Sequence, residues 1–175
     1  MEKQKGFSLI ELLIVVAIIL IIAAIAIPNL LRARIAANES SAVESIRTIL
    51  SAQGTYEMTF QTTGFSSTLA ALGPPAATGC PAGGPTAANA CLIDWVLAEA
   101  SAAATPKSGY YFAIGNPGGG PPNTAFTVGA AASTFNVTGV RGFCANQDGV
   151  IRYTPSLNGA PITTSAACLA YTALQ

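Results

Sequence analysis

Met1–Leu31 reads MEKQKGFSLIELLIVVAIILIIAAIAIPNLL. Lys3 and Lys5 precede Gly6, and from Phe7 onward the chain is apolar apart from Glu11. Leu12 to Leu31 carries no charge, and the next ionisable group is Arg32. As a helix rising about 1.5 Å per residue, that run spans about 30 Å, the thickness of a bilayer's hydrocarbon core. A membrane-spanning helix is therefore expected. A charge within such a helix costs on the order of 2.5–3.5 kcal/mol at mid-span, so Glu11 needs a partner. Two plain readings leave it without one. The first is a cleavable secretory signal ending at the small residues Ala24-Ile25-Ala26. The second is an uncleaved signal anchor that keeps Lys3 and Lys5 in the cytoplasm.

The stretch Lys5-Gly6-Phe7-Ser8-Leu9-Ile10-Glu11-Leu12-Leu13 resembles the processing site of type IV prepilins and of the related type II secretion pseudopilins. The resemblance runs through Pro28 and fades past about Tyr56. It implies cleavage between Gly6 and Phe7 by a prepilin peptidase, which also methylates the new amine of Phe7. It also implies that Glu11 attracts the amine of a neighbouring subunit, since pairing makes a buried charge tolerable. Pro28 cannot donate to the carbonyl of Ala24 and its ring crowds that turn, so a kink or weak point is expected there. In pilins a proline here lies near a segment that stretches on polymerisation, which gives Pro28 an assembly role by resemblance.

Beyond Arg32 the helix should continue to about Phe60. Val43, Ile46, Ile49 and Leu50 recur at three- and four-residue spacing and mark one apolar stripe. Glu39, Glu44 and Arg47 fall mostly off that stripe, with Glu44 and Arg47 placed for a weak i, i+3 pair. Gly54 is a soft spot and Gly64 the expected stop. Ser66 to Gly73 reads as a short capped helical turn, residues 76–90 as an Ala/Gly/Pro loop, and Cys91 to Ala98 as a second short helix with Trp95 at a core edge. Strands are expected at 109–114, 125–128, 140–145 and 150–153, with turns at 116–123 and at Gln147-Asp148-Gly149. The tail, 154–175, reads as irregular. The fold class is α+β: a long N-terminal helix under an antiparallel sheet with disulfide-tied loops, which is also the pilin architecture. The implied organisation is a cleaved leader at 1–6, a membrane and filament-core helix at 7–31, its amphipathic continuation at 32–62, and an extracytoplasmic head at 63–175.

The four cysteines, Cys80, Cys91, Cys144 and Cys168, allow three complete pairings. An anchor with its lysines inside places them on the oxidising side of the membrane. The most economical pairing is Cys80–Cys91, closing the flexible loop, with Cys144–Cys168 tying the tail to the sheet. The second bond resembles the C-terminal disulfide loop of many pilins.

Eight basic residues balance eight acidic ones, and only 9% of the chain is charged. The basic residues are scattered, so no nucleic-acid surface is expected. With no histidine in the chain, neither a Ser/His nor a Cys/His pair is available, and no Gly-rich phosphate cradle occurs. No enzyme activity, cofactor or metal is expected. Asn146 and Asp148 offer too few oxygens for calcium and read as a turn. Tyr56, Phe60 and Phe65 read as packing residues.

The expectation is thus a type IV pilin: a homo-oligomeric filament subunit held in the inner membrane with its N-terminus cytoplasmic, then extracted by an assembly platform to the cell surface. The alternatives are a pseudopilin of a type II secretion system and a membrane-anchored binding domain that never polymerises. Past Arg47 the only basic residues are Lys107, Arg141 and Arg152. That scarcity of protease targets favours a subunit exposed on a long fibre.

Overall fold

A computed structural model describes residues 7–115, 118 and 120–174. The expected leader and its Gly6 lie outside the described residues, as does part of the 116–123 turn. The described residues fall into two compact units that divide between Arg34 and Ile35.

Both units draw on one helix, α1 (Leu9–Thr59), which carries Pro28 in its interior without a break in the helical assignment. In the first unit the large aliphatic side chains from Leu9 to Leu31 are all exposed, including Ile10, Ile14, Leu20 and Ile27. The span is long and apolar enough to cross a membrane.

In the second unit one face of α1 is buried: Ala42, Ile46, Ile49, Ala52 and Tyr56 join the core, with Val43 and Leu50 packed at its margin. The stripe read from spacing is correct at its centre, but it omitted Glu39, Ser45 and Gln53, which are also buried. Glu39 does not lie off the face. The helix ends at Thr59, a little before the expected limit. Gly64, at φ +71°, follows in the left-handed region and presses its backbone against Asn123, where a Cβ would collide with the carbonyl oxygen.

Two short helices cover one end of the core. In α2 (Leu69–Leu72) the Thr68 side chain accepts from the Ala71 N–H and Gly73 closes the turn, as the sequence suggests. The second, α3 (Trp95–Glu99), is shorter than expected. Asp94 caps it by accepting from the Leu97 N–H at 2.6 Å, and Cys91 sits at φ +57°, so residues 91–93 are not helical. Trp95 is half-buried.

A five-stranded antiparallel meander follows: β1 (Tyr110–Gly115), β2 (Thr127–Ala132), β3 (Gly142–Asn146), β4 (Ile151–Thr154) and β5 (Thr172–Ala173), in spatial order β1-β2-β3-β4-β5. Phe112 pairs with Ala130, Ala130 with Phe143, and Phe143 with Tyr153. Side chains alternate across a sheet. This row therefore shares one face with Tyr110, Val128, Ala145 and Ile151, and these residues meet the buried side of α1 in the core. β2 begins and ends later than the expected 125–128 because Gly129 to Ala132 offers no β-branched or aromatic pattern to read.

The opposite face carries Gly115, Gly129, Gly142 and Cys144. A Cβ on Gly115 would strike the Thr163 carbonyl, one on Gly129 the Ile162 backbone, and one on Gly142 the Leu157 side chain. The three glycines form a trough in which the tail lies. Leu157 N–H donates to the Val140 carbonyl at 3.0 Å, and Tyr111 Oη donates to the Gly159 carbonyl at 3.3 Å. The tail then forms α4 (Ser165–Leu169) and β5. The tail is therefore irregular, as the sequence reads, over residues 155–164, where it straps the outer face, and not over α4 and β5. All six residues of β2 are buried as a result.

Candidate assembly site

At the start of α1, Ser8-Leu9-Ile10-Glu11 has the S-x-x-E spacing of a capping box. The Glu11 carboxylate, through Oε2, accepts the Ser8 backbone N–H at 2.9 Å, while the Ser8 carbonyl accepts from the Leu12 N–H at 3.3 Å. A carboxylate in the first turn also faces the positive end of the helix dipole, worth about 0.3–1 kcal/mol in an exposed setting. Sequence reasoning treated Glu11 as lacking any partner within its own chain. The serine three positions before it was the available signal. One backbone N–H does not saturate a carboxylate. Glu11 therefore keeps capacity to accept a cation, and Phe7 lies at the same end of the helix.

Residues 1–27 match the prokaryotic N-terminal methylation motif. The type IV wide pilus major component PilA4 of Thermus thermophilus is 48% identical over 58 residues, covering 33% of this chain and 44% of that protein. The type IV major pilin protein PilA of Myxococcus xanthus is 44% identical over 54 residues, covering 31% and 24%. The chain thus spans less than half the length of these curated relatives in the part that matches. No solved structure matches it. Gly6 lies outside the described residues, while Phe7 lies just before the start of α1 and Glu11 and Pro28 fall within it.

The head is fastened to the second half of this helix by polar side chains that the sequence did not flag. Glu39 Oε1 accepts the backbone N–H groups of Val140 and Arg141 at 3.1 and 3.0 Å, and its Oε2 accepts Arg141 Nε and Nη2, both at 2.7 Å. Asn38 Nδ2 donates to the Thr138 carbonyl at 2.8 Å, one turn away on the same loop. Arg141 lies 5.7 Å from the Phe143 ring centroid and 5.9 Å from that of Tyr153, which adds cation–π attraction. Further along, the Gln53 amide pairs with Ser66 as a strand would. Its Nε2 donates to the Ser66 carbonyl at 2.9 Å, and its Oε1 accepts the Ser66 N–H at 2.8 Å. Tyr56 Oη donates to the Ala87 carbonyl at 2.6 Å.

Burial pushes the Tyr110 hydroxyl well above the usual tyrosine range. The Glu39 charge adds to the rise and Arg141 partly opposes it. That hydroxyl donates to the Arg141 carbonyl at 2.8 Å. Glu44 and Arg47 pair at 3.2 Å with both side chains exposed, a contact of little energetic weight.

The structure pairs Cys80 with Cys91 and Cys144 with Cys168, with Cα separations of 6.0 and 5.8 Å. Asn146 and Asp148 are engaged elsewhere. Asn146 Oδ1 accepts from Thr127 Oγ1, and Asp148 accepts from Arg152, whose hydrogen bonds hold its carboxyl below the usual range against the opposing effect of burial. Among the described residues no cluster of three or more His, Cys, Asp or Glu side chains is placed to hold a metal.

Proposed function

We propose that this chain is a structural subunit of a type IV pilus. A prepilin peptidase cuts between Gly6 and Phe7 and methylates the new amine. Until then the precursor sits in the inner membrane through residues 7–31, with its N-terminus cytoplasmic and its head outside. An assembly platform then draws the subunits into a helical filament whose interior is made of these helices.

The observation that carries this reading is the methylation motif over residues 1–27, set on a helix whose large aliphatic side chains from Leu9 to Leu31 are exposed among the described residues. Cleavage removes Lys3 and Lys5 and creates a cation at Phe7. Two unit charges about 4 Å apart attract by roughly 4 kcal/mol at an effective dielectric constant near 20, enough to offset much of the cost of placing Glu11 among aliphatic neighbours. Glu11 is held in place by Ser8, so its charge is presented in a fixed position. Both named relatives are pilus components, which supports a pilus over a secretion pseudopilus.

The test begins with sheared filaments. Their intact mass should lack residues 1–6 and carry one extra methyl on Phe7, and a chain retaining Met1 would overturn the processing step. Glu11→Gln preserves the cap, since glutamine serves equally in a capping box, but removes the charge. The variant should accumulate in the membrane while filament yield falls. Normal yield would dismiss Glu11 as an assembly determinant. Intact surface filaments after gene deletion, with enzymes trapped in the periplasm, would favour the pseudopilin. Intact filaments with normal secretion would favour the membrane-anchored binding domain.

A further inference from the structure

The strap across the outer face of the sheet contains Asn158-Gly159, the single Asn-Gly step in the chain. Both residues are exposed and lie in irregular backbone between the Leu157–Val140 bond and the packing of Ile162 on Gly129, with the Gly159 carbonyl accepting from Tyr111 Oη at 3.3 Å. Three other asparagines have their side-chain amides engaged. Asn38 donates to the Thr138 carbonyl, Asn123 donates to the Phe65 carbonyl, and Asn146 accepts from Thr127. Among the described residues the Asn158 amide makes no hydrogen bond, and neither does the Gly159 N–H. A Cβ built on Gly159 meets open space.

We propose that Asn158 is a site of spontaneous deamidation in the folded protein. The Gly159 backbone nitrogen, after losing its proton to solvent base, attacks Asn158 Cγ. A C–N bond forms, ammonia leaves, and a five-membered succinimide closes. Water opens the ring at either carbonyl, giving aspartate or isoaspartate. Glycine on the C-terminal side leaves the attacking nitrogen unhindered, and exposed irregular backbone is free to reach the ring geometry. The product adds one negative charge to a chain whose formal net charge is zero. The isoaspartate form also lengthens the strap by one methylene between Leu157 and Ile162. On the filament reading every subunit carries the site, so charge builds along the fibre with age; the chemistry itself does not depend on that reading.

The experiment incubates the detergent-solubilised full chain in mildly alkaline buffer, folded and urea-unfolded in parallel, followed by reduction and tryptic mapping. Cleavage after Arg152 isolates Asn158 as the sole asparagine of residues 153–175. In the folded protein this peptide should gain one mass unit faster, by an order of magnitude, than peptides containing Asn123, Asn136 or Asn146. It should also become a substrate for isoaspartyl methyltransferase. Gly159→Ala, for which the structure has room, should slow the gain by an order of magnitude with unchanged thermal stability. A 153–175 peptide unchanged in the folded chain but converted in the unfolded control would overturn the proposal, as would equal conversion at all asparagines.

Discussion

Glu39 and Arg141 stand 102 residues apart in sequence and meet through two 2.7 Å contacts, with the Glu39 side chain only 6% exposed. The same carboxylate also takes the N–H groups of Val140 and Arg141. One side chain therefore holds the loop before β3 to the helix.

Glu39→Ala leaves four donors without their acceptor, and truncating one partner of a buried pair costs about 3–5 kcal/mol. A loss of about 3 kcal/mol is expected, because Arg141 is partly exposed and regains water. Glu39→Gln keeps an acceptor oxygen for the two backbone groups and should cost about 2 kcal/mol. Denaturant unfolding of the solubilised chain, followed by tryptophan fluorescence from Trp95, checks both values. Equal stability of the alanine variant would show that the contact contributes nothing.

Gly129→Ala tests the strap. Its Cβ would meet the Ile162 backbone, and overpacking of this kind costs about 1–3 kcal/mol. Gly54→Ala on α1, where a Cβ meets nothing, should instead stabilise the helix by about 1 kcal/mol. Thermal melting of the two variants should therefore move in opposite directions.

The two disulfides should differ in their response to reductant. Cys80 is exposed, whereas Cys144 and Cys168 are fully buried. Titration with a mild thiol and alkylation mapping should label Cys80 and Cys91 first, with Cys144 and Cys168 opening only under denaturing conditions. Each crosslink is worth about 3 kcal/mol on the chain-entropy scale. Joint replacement of Cys144 and Cys168 should cost more than that, since the strap loses its fastening as well.

Alkali should unfold the head through Tyr110. Its folded pKa is raised, mainly by burial, so the folded state holds the proton more tightly than the unfolded chain. The stabilisation is complete below the unfolded tyrosine value of about 10 and declines as pH rises beyond it. Ultraviolet difference spectra should show Tyr110 ionising together with unfolding. Tyr110→Phe should shift the alkaline transition upward. At neutral pH it should cost about 1 kcal/mol for the lost bond to the Arg141 carbonyl.

Elements built on local period were legible in the sequence. The uncharged run to Leu31, the spacing of Ile46 and Ile49, the cap at Thr68 and the Gly149 turn each carry their signal within a few residues. Contacts closed by distant chain were not. Glu39 looks like a solvated helix residue until residue 141 comes back to it, and Gln53 is matched only by Ser66 across the helix end. The glycines at 115, 129 and 142 carry no local signal, yet they are the space the strap requires. α4 and β5 were missed because Ser165 to Ala173 is mostly Ala, Thr and Ser, with no apolar rhythm. At Glu11 the local signal is Ser8, three positions before it, whose N–H the carboxylate accepts.

Because the strap lies over the sheet, the outermost surface of the head at this place is a replaceable covering. Pro155, Ser156, Asn158 and Ala160 face solvent, while the contacts that seat the segment are made by Leu157, Ile162, Thr163 and Cys168. Residues of the first group can change freely in size and charge while those of the second stay fixed. The protein can thus alter what it shows to its surroundings along this segment without disturbing the packing of helix against sheet beneath.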